Sequence, residues 1–180
     1  LKDFDEPIAI FQVGSQRFPP LKTISNTNLP RPASSFVGRS AELSEVLSLL
    51  EHGSRLLTLT GPGGSGKTRL ALEAAATLVP AYKAGVFWVG LAALRDPALV
   101  TETIAQTLGA SAGLAEHIAE REMLVLLDNF EDNLQPASDG RYAFEVADPQ
   151  LADFLAAWIQ TRGMSRLLLT SRHHDVLDRS

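Results

Sequence analysis

An α/β fold with a doubly wound parallel sheet is predicted by three features of the sequence. Residues 55–60, 86–89, 123–127 and 166–170 are apolar without strict alternation, as strands buried on both faces are. Segments with apolar residues at helical spacing separate these runs. A glycine-rich turn at residues 61–66 joins the first of the strands directly to the next helix.

Taken in order, Ser40 is placed to cap a helix whose apolar stripe holds Leu43, Val46, Leu47 and Leu50, and His52-Gly53 ends it. Strand 55–60 and the glycine turn lead into a helix from about Lys67 to Val79, stopped by Pro80. Val86-Phe87-Trp88-Val89 is the next strand. Asp96-Pro97 opens a helix with the aspartate as cap and the proline in the first turn, and Gly109 closes it. Its stripe is Leu99, Val100, Ile104 and Leu108. Residues 115–122 read as helix, 133–148 as a polar, exposed excursion, and 151–160 as a further helix. Trp88 and Trp158 read as packing residues, and His173-His174 as a solvated turn.

Composition divides the chain into three. Residues 1–14 hold a short strand at 8–13, closed by Gly14, and read as the tail of an upstream domain. Residues 15–35 gather Pro19, Pro20, Pro30 and Pro32 among Ser, Thr and Asn, which suits either an extended linker or a loop packed over the domain surface. Residues 36–180 form the folded domain. The chain starts without methionine and stops just after an apolar strand, so it reads as a piece of a longer protein, incomplete at its C-terminal end.

A hydrophobic content of 45% and a charged content of 21% are ordinary for a soluble domain. The net charge of -5 argues against general nucleic-acid binding by this fragment. Cysteine is absent, which excludes disulfides and thiolate metal sites and suits a reducing cytoplasm. No apolar run reaches the roughly 18 residues that a bilayer demands, and no signal-peptide layout opens the chain. The expectation is a cytoplasmic protein without a membrane partner.

The glycine turn carries the chemistry. Gly61-Pro62-Gly63-Gly64-Ser65-Gly66-Lys67-Thr68 fits G-x-x-x-x-G-K-[ST] throughout. Glycines let the backbone wrap phosphate oxygens with N–H groups turned inward, and the following helix adds the positive end of its dipole. Lys67 is expected to reach the β- and γ-phosphates of ATP, and the Thr68 hydroxyl to ligate Mg²⁺. Arg69 faces either a phosphate or solvent. Asp128 ends a buried strand on the edge where open α/β sheets bind ligands, and is the carboxylate expected to hold the magnesium. Glu131 either orients an attacking water or is a solvated loop carboxylate. Arg172, at the end of the last strand, can contact the γ-phosphate, though a surface arginine needs no such role.

Four segments together resemble a family. Phe36-Val37-Gly38-Arg39, the loop 61–68 with Arg69-Leu70-Ala71, Leu126-Leu127-Asp128-Asn129-Phe130-Glu131, and Leu168-Leu169-Thr170-Ser171-Arg172 are similar in order and content to the signal-transduction ATPases with numerous domains, in the AP-ATPase or NB-ARC-like branch. The resemblance implies that Phe36 to Arg39 lie against adenine and ribose, that Asp128 holds Mg²⁺ and that Arg172 senses the γ-phosphate. It also implies downstream lid and repeat domains as partners, and self-association in the ATP state. Two departures stand out. The family's G-R-E-x-E reads Gly38-Arg39-Ser40-Ala41-Glu42 here, and Asp128 is followed by Asn129 where many relatives carry a second acid, which bears on fast hydrolysis rather than on binding. Residues 1–14 resemble the closing strand of class III nucleotide cyclase domains, a piece too short to hold a cyclase site. The expected function is an ATP/ADP-operated regulatory switch with slow hydrolysis. A P-loop kinase acting on a small molecule and a scaffold that holds ADP are the alternatives.

Overall fold

The computed structural model describes residues 27–32, 34–94, 96–110, 113–137, 144–160 and 163–173. The strand expected at 8–13 and most of the proline-rich stretch lie outside the described residues.

Among the described residues, four parallel strands form one sheet. They are β1 (Leu56–Thr60), β2 (Gly85–Gly90), β3 (Met123–Asp128) and β6 (Arg166–Ser171), in the order β1-β6-β3-β2. Successive side chains of each central strand, nearly all buried, alternate between the two faces of the sheet and divide the core in two. Met123, Val125, Leu127, Leu167 and Leu169 face a layer of α3 (Leu99–Leu108), α4 (Leu114–Ala119) and α5 (Pro149–Gln160), and Trp158 and Phe130 are the largest fully buried side chains on that side. Leu124, Leu126 and Leu168 face α1 (Ser40–Glu51) and α2 (Lys67–Leu78), whose Ala71, Ala74 and Ala75 let the helix lie close to the sheet. Helices therefore cover both faces, and the doubly wound α/β expectation holds.

Several expected details are corrected. Ser40 is the first residue of α1 rather than its cap; Arg39 holds that place in a left-handed conformation (φ 55°), with no side-chain capping bond. Asp96 accepts a hydrogen bond from Ala98 N–H at 3.0 Å, but this closes a turn, and α3 begins only at Leu99. Asp148 caps α5 instead, accepting from Leu151 N–H at 2.8 Å. The excursion at 133–148 is not simply exposed. Its ends pair as an antiparallel ribbon, β4 (Leu134–Pro136) with β5 (Phe144–Val146), and Leu134 and Val146 pack against the core. Three-residue strands are too short for their period to register in sequence. His173 stacks on Phe144 at 4.0 Å between ring centroids, rather than standing in solvent; His174 lies outside the described residues.

Trp88 folds back over Gly90 on β2. A Cβ at position 90 would stand 2.6 Å from the indole Cζ2. Gly90→Ala is accordingly expected to cost about 1–3 kcal/mol of stability, as overpacking does. Urea unfolding with an unchanged midpoint would show that the ring moves aside freely.

Candidate nucleotide-binding site

Beyond β1 the backbone turns so sharply that glycine is needed. Gly64 (φ 76°) and Gly66 (φ 81°) are left-handed, where a side chain is strained, and a Cβ on Gly66 would also come within 3.2 Å of Arg39 Nη1. Arg39 uses that nitrogen to donate to the Ser65 carbonyl at 2.8 Å, while its Nε donates to Glu42 at 3.0 Å. The Gly38-Arg39 turn thus braces the outside of the loop. Lys67, the first residue of α2, donates from Nζ to the carbonyls of Gly61 (2.7 Å) and Pro62 (3.0 Å), which draws its ammonium back across the loop. Loop, ammonium and helix N-terminus converge on one place, as an anion site requires.

At the foot of the loop the strand order decides the chemistry. β6 lies between β1 and β3, so the ends of all three meet there. Asp128 is 4% exposed. Its Oδ1 accepts the Thr68 hydroxyl at 2.7 Å and the Thr170 hydroxyl at 2.6 Å. Thr170 in turn accepts the Asn129 N–H at 3.0 Å, so its single proton is directed to Asp128. Thr170 was not among the sequence candidates, although a hydroxyl closing a run of leucines was a visible signal. Oxygen donors of Thr68 and Asp128 this close together suit a small hard cation such as Mg²⁺.

Asn129 adopts φ 62°, a left-handed conformation that asparagine tolerates better than most residues, and turns the chain into a short 3-10 helix at Phe130–Asn133. That turn brings Glu131 back to Arg172. The Glu131 carboxylate accepts from Arg172 Nε at 2.6 Å and from the Arg172 backbone N–H at 3.2 Å. Its side chain is 5% exposed, against 54% for the arginine. The reading of Glu131 as a solvated carboxylate is therefore corrected. Burial pushes its carboxyl upward, but hydrogen bonds from Arg172, the backbone and Asn129, together with the arginine's charge, outweigh this and hold it below the ordinary value. Arg172 is held above its own, chiefly by the hydrogen bond to Glu131.

A carboxylate depressed in the folded state stabilises the fold fully above its unfolded pKa of about 4.3, and that contribution fades as pH falls through the folded value. The stability difference between the parent and Glu131→Gln should thus be present near pH 7 and close at acid pH. Thermal melts showing an unchanged difference down to pH 3 would contradict the pairing.

A cleft of about 610 Å³ opens above these groups, within the range of small-molecule sites. Gly63, Gly64, Gly66, Lys67, Thr68, Arg69, Asn129, Glu131, Thr170 and Arg172 line it, together with Pro30, Arg31, Pro32 and Ser34 from the proline-rich stretch. Gly61, Pro62 and Ser65 shape the loop without lining this cleft. Nor do the expected adenine contacts line it. Phe36 is partly buried in the α1/α2 layer, Val37 is 84% exposed, and Arg39 with Lys67 lines a smaller cleft beside α1. Arg69 lines the cleft with its side chain held by protein groups. Its guanidinium donates to the Ser34 carbonyl at 2.7 Å, pairs with Glu73 at 3.5 Å and lies over the Phe36 ring.

A doubly wound sheet with a glycine loop, a lysine at the helix start and an acid closing the adjacent buried strand defines a P-loop domain. The chain belongs to the AAA ATPase domain family, whose profile matches residues 35–175. It is 32% identical over 165 residues to the regulatory protein AfsR of Streptomyces coelicolor, covering 75% of this chain and 17% of that protein. An uncharacterized protein of Mycobacterium tuberculosis is 38% identical over 109 residues, 56% of this chain and 28% of its own length. The chain therefore spans under a third of these relatives. Among solved structures it is similar to AMPPCP-bound DnaA from Aquifex aeolicus, with a TM-score of 0.46 and 17% identity over 81% of this chain and 44% of that one. No helix among the described residues is long and apolar enough to cross a membrane.

Proposed function

We propose that this chain is an ATP/ADP-binding switch domain of a regulatory protein, with slow magnesium-dependent hydrolysis. One observation carries the reading: the glycine loop, Lys67, Thr68 and Arg172 line one cleft, and the Thr68 hydroxyl donates to Asp128. Membership of an ATPase family supports it, as does similarity to a protein described as regulatory.

The residues divide the work. The loop N–H groups and Lys67 hold the β- and γ-phosphates, for which the ammonium exchanges the Gly61 and Pro62 carbonyls. Thr68 and Asp128 hold Mg²⁺, which when bound would offset charge on the phosphate oxygens. Thr170 keeps Asp128 oriented. Arg172 is the group that tells ATP from ADP. Its partner Glu131 also lines the cleft and carries a carboxylate able to orient water, so one ion pair occupies both groups. A γ-phosphate that draws Arg172 away releases Glu131, and ADP leaves the pair closed. Turnover is slow for the same reason. The closed pair is also what an ADP-holding scaffold would display, and this keeps that second reading alive.

The chain's own flanking domains, a cyclase-like one upstream and lid and repeat domains downstream, are the proposed partners. Self-association in the ATP state is a further one. The test is incubation with γ-labelled ATP, with and without Mg²⁺. Slow magnesium-dependent phosphate release is expected; retained, uncleaved nucleotide would favour the scaffold. Transfer to an added small-molecule acceptor would favour a kinase, and no binding would overturn the proposal.

A further inference from the structure

The stretch that precedes the first motif is fastened to the sheet. Thr27 forms a parallel bridge with Val86 on the outer edge of β2. Asn28 then sets its side-chain amide where the peptide of a neighbouring strand would stand: Oδ1 accepts from Trp88 N–H at 2.7 Å, and Nδ2 donates to the Trp88 carbonyl at 2.8 Å. A single side chain thereby satisfies both outward backbone groups of an edge residue, which would otherwise be left to solvent. Leu29 dips into the α1/α2 layer, its N–H donating to Thr27 Oγ1 at 3.3 Å.

From there the chain runs along the rim of the nucleotide cleft as one of its walls. Ser34 ends the run, held through its carbonyl by Arg69 on the first turn of α2. The segment is thus tied at both ends, to β2 by Asn28 and to α2 by Arg69. Between the ties, Pro30 and Pro32 fix two φ angles, which limits how much of a movement at one end the segment can absorb.

We propose that Asn28 is a positioning residue that, clipped to the edge of β2, holds Pro30, Arg31, Pro32 and Ser34 as a strap closing one side of the nucleotide cleft. The strap couples the cleft to the chain upstream of Thr27. This rests on the nucleotide-binding reading above. The coupling is reciprocal: if nucleotide steadies the strap, whatever pulls on the upstream chain weakens nucleotide binding by the same factor.

The test uses the 180-residue chain, its Asn28→Ala and Asn28→Asp variants, and a fluorescent ADP analogue. Hydrogen exchange at the Trp88 amide is read with and without ADP. In the parent, ADP should slow that exchange. In Asn28→Ala, which loses both bonds to Trp88, the amide should exchange quickly whether or not ADP is present, and ADP affinity should fall by about three- to tenfold, the equivalent of about one net hydrogen bond coupled to binding. Asn28→Asp keeps the acceptor but sets a carboxylate oxygen against the Trp88 carbonyl, and should weaken ADP in the same direction. Equal ADP affinity in parent and Asn28→Ala overturns the strap, as does parent exchange that ignores ADP, which requires no variant to fold. A parent that binds no nucleotide overturns the site itself and the strap with it. A parent that binds, alongside a variant that binds equally, overturns the strap alone.

Discussion

Lys67→Ala is expected to weaken ATP binding by roughly 10- to 150-fold, the equivalent of losing a charge-assisted contact of about 1.5–3 kcal/mol. The stability of the fold should scarcely change. In the structure the Lys67 ammonium contacts the Gly61 and Pro62 carbonyls, on a loop whose residues 62–66 are exposed. Water replaces the ammonium at the exposed Pro62 carbonyl, so any stability cost is confined to the carbonyl of the buried Gly61. The phosphates have no such substitute, because the other donors of the loop are backbone N–H groups without net charge. Calorimetric titration separates the two quantities cleanly. Equal affinities for mutant and parent would remove the anion site, and a large fall in melting temperature would show the lysine to be structural instead.

Asp128→Ala acts on the metal rather than on the phosphates, and here stability moves too. The enhancement of ATP affinity by Mg²⁺ should disappear, while ADP affinity in the presence of a chelator stays near that of the parent. Two hydroxyls, on Thr68 and on the 2%-exposed Thr170, converge on the lost oxygen and both lose their acceptor. An unsatisfied buried hydroxyl of this kind costs about 1–3 kcal/mol. Asp128→Asn keeps an acceptor for both hydroxyls and should recover most of that stability without restoring the response to Mg²⁺. A parent whose ATP affinity ignores Mg²⁺ would show that Asp128 serves the fold alone.

The residues that could be read from sequence are those whose meaning is local. The loop 61–68 and the apolar run ending in Asp128 are stretches of under ten residues, and their backbone behaviour follows from glycine, lysine and helix geometry wherever they occur. The apolar strands were equally legible, because burial on both faces marks every residue of a central strand. Glu131 was only half legible. Its two readings differ in whether anything stands opposite it, and the answer, Arg172, comes 41 residues later. Thr170 and Asn28 escaped for the same reason. A threonine after three leucines and an asparagine among prolines both have ordinary local explanations.

By itself the sequence determined the α/β class, the phosphate loop and an acid that ends a buried strand, since each of these is a local pattern; that this acid meets Thr68, 60 residues away, is the work of the fold. Only the tertiary structure decided that β6 would lie between β1 and β3, and so place Thr170 and Arg172 beside Asp128 and Glu131. Only the tertiary structure set Thr27 and Asn28 on the edge of β2 and tied Ser34 to α2. Both follow from strand order and edge pairing. These choices are made by hydrogen bonds between segments far apart in the chain, and no local pattern encodes them.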